Sequence, residues 1–278
     1  MGLTLFSGAA SAILDPLCIF GLGLGLDGAA LSQWFARSAL VALGLWMVMR
    51  KHDLLRRPSR AVVQDNLPAF MAIGLPAVLT QIATPVGNAF VTHAIAPFGD
   101  GAVAGWSVVV RLIPVAFVVL FALSGAIGPI VGQNLGAGRF DRLRQTLRQS
   151  LALVLVYVAV VWLLLALGAN MIADAFGAQG EAREVIVFFC RFVAGSFAFN
   201  GALFVANAAF NNLGFAFYST ALNWGRATLG VAPFVWVGAA LDGTHGIMAG
   251  YGLGVVGFGA IGIWLCFKTL DRLGHEAV

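Results

Sequence analysis

Gly132-Gln133-Asn134-Leu135-Gly136-Ala137-Gly138-Arg139-Phe140-Asp141-Arg142 is a polar, glycine-punctuated, basic interruption between two long apolar runs, one closing near Val131 and the next opening near Ser150. Glycine adopts positive φ at little cost, so Gly136 and Gly138 predict a tight reversal at a water interface. Arg139, Arg142, Arg144 and Arg148 set the side of the bilayer on which it lies, because basic residues collect in cytoplasmic loops. The stretch therefore predicts a short cytoplasmic turn between two membrane helices.

Composition leads to the same class. With 60% hydrophobic and only 10% charged residues, the chain cannot hide its apolar surface in one water-soluble core, which ordinarily accompanies about 25% charge. The net charge of +4 does not point to nucleic acid, since the bases cluster in loops beside apolar spans rather than on one soluble face. Cys18, Cys190 and Cys266 lie far apart inside apolar runs and read as small hydrophobes. Met1-Gly2-Leu3 has no basic leader, and further apolar runs follow, so no cleaved signal peptide is expected.

Eight apolar runs follow one another, at about residues 3–25, 28–49, 67–98, 101–131, 150–176, 185–209, 215–241 and 246–267. A hydrocarbon core of about 30 Å needs roughly 20 helical residues, so each run is long enough to span. The runs are continuous rather than alternating and too long for barrel strands, which predicts an all-α polytopic membrane protein of about eight transmembrane helices. Arg50-Lys51-His52-Asp53-Leu54-Leu55-Arg56-Arg57-Pro58-Ser59-Arg60 is a basic, proline-broken linker between domains. Linker, central turn and C-terminal tail carry eleven Lys and Arg, and the alternate loops carry one, Arg183. Linker, turn and both termini are thus expected in the cytoplasm, with the protein in a plasma (bacterial inner) membrane. A weak internal echo relates Pro16, Gly21 and Gly28-Ala29-Ala30 to Pro233, Gly238 and Gly246-Ile247-Met248-Ala249, as in transporters built from two similar bundles.

Enzyme motifs are missing: there is no HExxH, GxSxG or Walker A lysine, the glycines near 136 do not follow a strand, and no histidine lies deep in a run. Neither an enzyme nor a metal or cofactor site is expected.

The chain resembles the multidrug and toxic compound extrusion (MATE) family and, more loosely, the superfamily that adds polysaccharide and lipid-linked oligosaccharide flippases. The carrying residues are Ile13-Leu14-Asp15-Pro16 with Ile19-Phe20-Gly21 and Gly28-Ala29-Ala30, Gly74-Leu75-Pro76, Arg111 with Pro114, Gly132-Gln133-Asn134-Leu135-Gly136-Ala137-Gly138-Arg139, and Arg226 with Pro233 and Gly246. The resemblance covers nearly the whole chain, and the central turn is its most specific piece. It implies twelve helices in two six-helix lobes, of which this chain would hold the last two helices of the N-terminal lobe (1–50), the cytoplasmic interlobe linker (51–66), a complete six-helix C-terminal lobe (67–270) and a cytoplasmic tail (271–278). The four preceding helices would then be a partner this chain needs. The resemblance implies an antiporter that exports drugs or other small amphipathic organic cations in exchange for H⁺ or Na⁺, without a cofactor. Alternatives are a flippase for lipid-linked sugars and a non-transporting membrane scaffold or assembly partner.

Candidate site residues follow from what a bilayer penalises. An ionised side chain at its centre costs about 2.5–3.5 kcal/mol or more, so Asp15 is the leading ion-coupling residue. Pro16 beside it leaves the Ala12 carbonyl without its helical donor. The family's Asp-Pro is implicated in cation coupling, and Ser11, where an Asn is usual four residues earlier, and Gln33, where a Thr is usual on the following helix, are the ion-coupling candidates beside Asp15. A structural pairing of Asp15 with a neighbouring helix is the competing reading. Gln81, Thr84 and Asn88 share one helix face and, with Asn200, are expected to line a substrate cavity or to bond between helices. Some family members carry Glu at the position of Thr84, so any carboxylate coupling here shifts to the other lobe. Arg111 and Arg226 lie inside their runs and must face protein or water. Paired with acids within the lobe, they would be structural or gating residues, together with Pro16, Gly136, Gly138 and Arg139.

Overall fold

The computed structural model describes residues 2–50 and 59–276, and all regular structure among them is helical. The chain divides into two compact units, Met1–Leu67 and Pro68–Val278. Residues 51–58, half of the expected linker, lie outside the described residues, while 60–66 already belong to a helix.

In the first unit, α1 (Gly2–Pro16) runs into a π turn over Leu17–Gly21. The cause is local: Pro16 has no N–H to donate, and the helix widens directly after it. Gly23 and Gly25, at φ +67° and +54°, then reverse the chain into α2 (Gly25–Arg50). Gly28 of α2 sits on the π turn so closely that a Cβ there would lie 2.5 Å from the Cys18 carbonyl oxygen.

The second unit contains most of α3 (Arg60–Ile95), then α4 (Asp100–Ala116), α5 (Val118–Gly136), α6 (Phe140–Ala175), α7 (Gly180–Phe188), α8 (Phe197–Asn212), α9 (Ala216–Gly225) and α10 (Ala232–Glu276). The single helix expected over 101–131 is broken at Phe117 (φ −112°, ψ 26°), one turn after Pro114. A second π turn, Phe189–Val193, bends α7 into α8, and Trp162 Nε1 donates 2.8 Å to the Arg191 carbonyl there. A third, Arg226–Gly230, joins α9 to α10. Within α10 the chain turns at Asp242 and Gly243 (φ +54°), and this break separates the last two expected runs. Gly238 and Gly246 face each other across it so tightly that a Cβ on either would be 2.0 Å from the other's carbonyl oxygen. Such backbone approach through small residues is how helices pack where lipid removes the hydrophobic incentive.

The interior is apolar, as in a water-soluble bundle, but so is much of the exterior. Trp106, Phe117, Phe189, Phe197 and Phe210 fill the interior, yet Leu163, Leu164, Leu167 and Met171 of α6 are each more than half exposed. Among the described residues five helices are long and apolar enough to cross a bilayer, or six if the bent pair Arg60–Ala72 with Gly74–Phe98 is one span; one of the five, Ala216–Gly274, contains the turn at Gly243. The protein is an all-α integral membrane protein.

The opening stretch is a turn, but a shorter one than its glycines suggest. Only Gly138 has a positive φ, +66°, whereas Gly136 ends α5 with open space where a side chain would go. Arg139 N donates 2.9 Å to the Asn134 carbonyl, closing the helix end. Arg142, Arg144 and Arg148 lie on the first turns of α6 rather than in the loop. At the far end, α10 continues through the expected tail to Glu276, and Asp271 pairs with Arg144 at 2.7 Å.

Candidate functional site

Chemistry collects at two places, one in each unit. In the first, Asp15 is partly buried on the last turn of α1, and its carboxylate accepts a short hydrogen bond from Ser32 Oγ of α2. Ser32 is fully buried, and its oxygen also lies 3.0 Å from the Ala29 carbonyl. One hydroxyl carries one proton. It therefore satisfies either form of the acid: it donates to an ionised Asp15, or it turns to Ala29 and accepts from a protonated one. Neither of the residues placed beside Asp15 on sequence grounds fills this role. Ser11 is half-buried on α1, and Gln33 is exposed. One residue along a helix is a rotation of about 100°, so moving from Gln33 to Ser32 changes which side chain faces α1.

In the second unit the four expected amide and hydroxyl residues, Gln81, Thr84, Asn88 and Asn200, line one cavity of about 490 Å³. The kink in α4–α5 shapes one wall through Val110, Ile113 and Pro114, and the π turn after α9 carries Arg226 into another. Pro85, next to Thr84 on α3, has no N–H to donate to the Gln81 carbonyl. Asn207 also lines the cavity. The side-chain oxygens of Asn200 and Asn207 have no hydrogen-bond partner among the described residues.

Arg226 is only 5% exposed. Its guanidinium donates 3.1 Å to Thr84 Oγ1 and adjoins the Tyr251 hydroxyl, and its Nε has no partner among the described residues. None of the residues lining the cavity is acidic, so the expected pairing of Arg226 with an acid is replaced by contacts to two hydroxyls. Arg111, grouped with Arg226 on sequence grounds, is exposed on α4 and does not line the cavity. Tyr251 was missed because in α10 it reads as one more aromatic in an apolar run; its only sequence signal is that a buried tyrosine hydroxyl needs a partner. Among the described residues no three His, Cys, Asp or Glu side chains gather as metal ligands.

With this geometry in place, comparison with known proteins is specific. Residues 76–237 match the MatE family. The chain is 29% identical over 242 residues to a FAD transporter of Shewanella oneidensis, covering 85% of this chain and 54% of that one. It is 23% identical to the multidrug export protein MepA of Staphylococcus haemolyticus, covering 85% and 52%. A crystal structure of the Vibrio cholerae MATE transporter VcmN in the bent form superposes with a TM-score of 0.85 at 25% identity, over 99% of this chain and 63% of that one. The chain thus spans about half the length of these two curated relatives.

Proposed function

The chain belongs to the MatE family, whose members are transporters rather than enzymes, and from that premise we propose that it forms part of a secondary active antiporter moving an amphipathic organic solute out of the cell in exchange for H⁺ or Na⁺. The observation carrying this reading is the polar cavity on α3, α4–α5, α8 and the Arg226 turn. A bundle exposed to lipid gains nothing from an unfilled polar hollow, whereas a carrier needs a site that faces each side in turn.

Asp15 supplies the coupling. Ionised, it holds the Ser32 hydroxyl; on protonation it becomes the donor, and Ser32 turns to Ala29. This exchange occurs beside the π turn at Leu17–Gly21, where helix geometry is least fixed. Cation binding at Asp15 biases one of two arrangements, and the bias is limited by the differential affinity of the cation for them. The arginines of the α6 N-terminus and the linker bases support a topology in a bacterial inner membrane with those segments and both termini on the cytoplasmic side.

The solute has two models among the relatives, drugs for MepA and FAD for the Shewanella protein. Organic cations follow from the first. A lipid-linked sugar, the flippase alternative, gains support from the buried Arg226 in the cavity. The test is solute flux in everted vesicles by a transporter carrying this chain, comparing wild type with Asp15→Asn. Flux driven by an imposed H⁺ or Na⁺ gradient and lost in Asp15→Asn is expected. Undiminished flux after both gradients are collapsed would overturn the reading.

A further inference from the structure

We propose that the cavity of the second unit recognises an anionic, phosphate-bearing organic solute, and that Arg226 is the residue that binds its charge. This deepens the transport reading and rests on it. Arg226 is only 5% exposed, its Nε lacks a partner among the described residues, and no carboxylate is among the residues that line the cavity beside it. A guanidinium has five N–H donors in a rigid fork. Here one donor goes to Thr84, and the Tyr251 hydroxyl lies alongside. A buried charge with no counter-ion is costly, and the arrangement leaves it directed at a space that can admit one. Phosphate fits best, because Arg recognises it through two parallel hydrogen bonds.

The rest of the lining fits the remainder of such a molecule. Phe121 and Phe204, with ring centroids 5.1 Å apart, border the same cavity. They provide faces on which an aromatic or prenyl moiety can lie. Asn200 and Asn207 add polar groups with spare hydrogen-bonding capacity. An organic cation in this cavity would meet Arg226 with no carboxylate to receive it. A soluble nucleotide-like anion and a lipid-linked diphosphate share the same recognition chemistry, so the experiment must separate them.

The purified chain in lipid nanodiscs is titrated with FAD, farnesyl diphosphate and ethidium, using wild type, Arg226→Gln, Arg226→Lys and Thr84→Glu. Wild type is expected to bind at least one diphosphate more tightly than ethidium. Arg226→Gln should weaken that binding roughly ten- to hundredfold, the range for hydrogen bonds to a charged group. Arg226→Lys keeps a point charge without the fork and should fall between. Thr84→Glu places a carboxylate against the guanidinium, so it should weaken diphosphate binding and strengthen ethidium binding with the fold intact. FAD alone binding identifies a soluble solute, and farnesyl diphosphate alone identifies a lipid-borne one. Ethidium bound more tightly than both diphosphates, or diphosphate affinity unchanged in Arg226→Gln and Thr84→Glu chains of wild-type helicity, overturns the anionic assignment alone. A wild-type chain that binds none of the three also overturns the anionic assignment, whereas the transport reading falls only on the flux measurement in vesicles.

Discussion

Asp15 and Arg226 sit in different units, yet their surroundings correspond point for point. Each adjoins a π turn, Leu17–Gly21 or Arg226–Gly230. Each is bonded to a hydroxyl, Ser32 or Thr84. In each, a glycine of the neighbouring helix packs on a π-turn carbonyl: a Cβ on Gly28 would lie 2.5 Å from Cys18 O, and one on Gly254 would lie 2.0 Å from Gly230 O. The difference is in what remains unsatisfied. Asp15 can satisfy both of its protonation states through Ser32, whereas Arg226 keeps a donor with no partner and faces open volume. The first arrangement suits an ion that comes and goes, the second a solute that must bring its own charge. The two are not copies of one repeat, because the π turn follows the proline at Pro16 and precedes it at Pro233.

The comparison can be broken experimentally. The largest expected effect is that of Asp15→Asn on coupling, which should fall by roughly 5- to 150-fold, the usual span of one coupling free energy, measured as gradient-driven flux against gradient-free binding. If binding falls as well, Asp15 contacts solute and the division of labour is wrong. Next come Gly28→Ala and Gly254→Ala, which should each cost about 1–3 kcal/mol through overpacking, read from thermal unfolding in detergent. Gly28→Ala should damage coupling and Gly254→Ala solute affinity; the reverse pattern would dissolve the correspondence. Ser32→Ala should cost about 1–3 kcal/mol at most, the penalty for a lost partner of a charged group, and should alter the pH dependence of flux while leaving diphosphate affinity unchanged. Arg111→Gln should be the smallest, within about 0.5 kcal/mol of wild type in stability and silent in diphosphate binding, because its side chain does not reach the cavity.

The fold was legible because run length alone decides whether a helix can cross a bilayer, and the basic interruptions mark where it emerges. The breaks were less so. Phe117 interrupts a run whose hydropathy never falters, and Pro114, the visible warning, lies one turn earlier. At the sites, residue type was legible and facing was not. Gln81, Thr84 and Asn88 share a helix face by spacing, which packing preserved. Arg111 and Arg226 look alike in sequence, and only the helices around them decide that one is exposed and the other enclosed. Ser32 was overlooked in favour of its neighbour because helical phase cannot be read to one residue without knowing where the partner helix lies.

α6 contains 36 residues and at 1.5 Å each extends about 54 Å, against a hydrocarbon core of about 30 Å. The surplus cannot come from its oily portion around Leu163, Leu164, Leu167 and Met171, which is exposed to the surroundings. It falls instead on the stub that bears Arg142, Arg144 and Arg148, with Arg144 tied to Asp271 of α10. Charge of that kind is costly in hydrocarbon and at home beside lipid phosphates, so a tilt that drew the stub's guanidinium groups into oil would be opposed, as a keel opposes the roll of a hull.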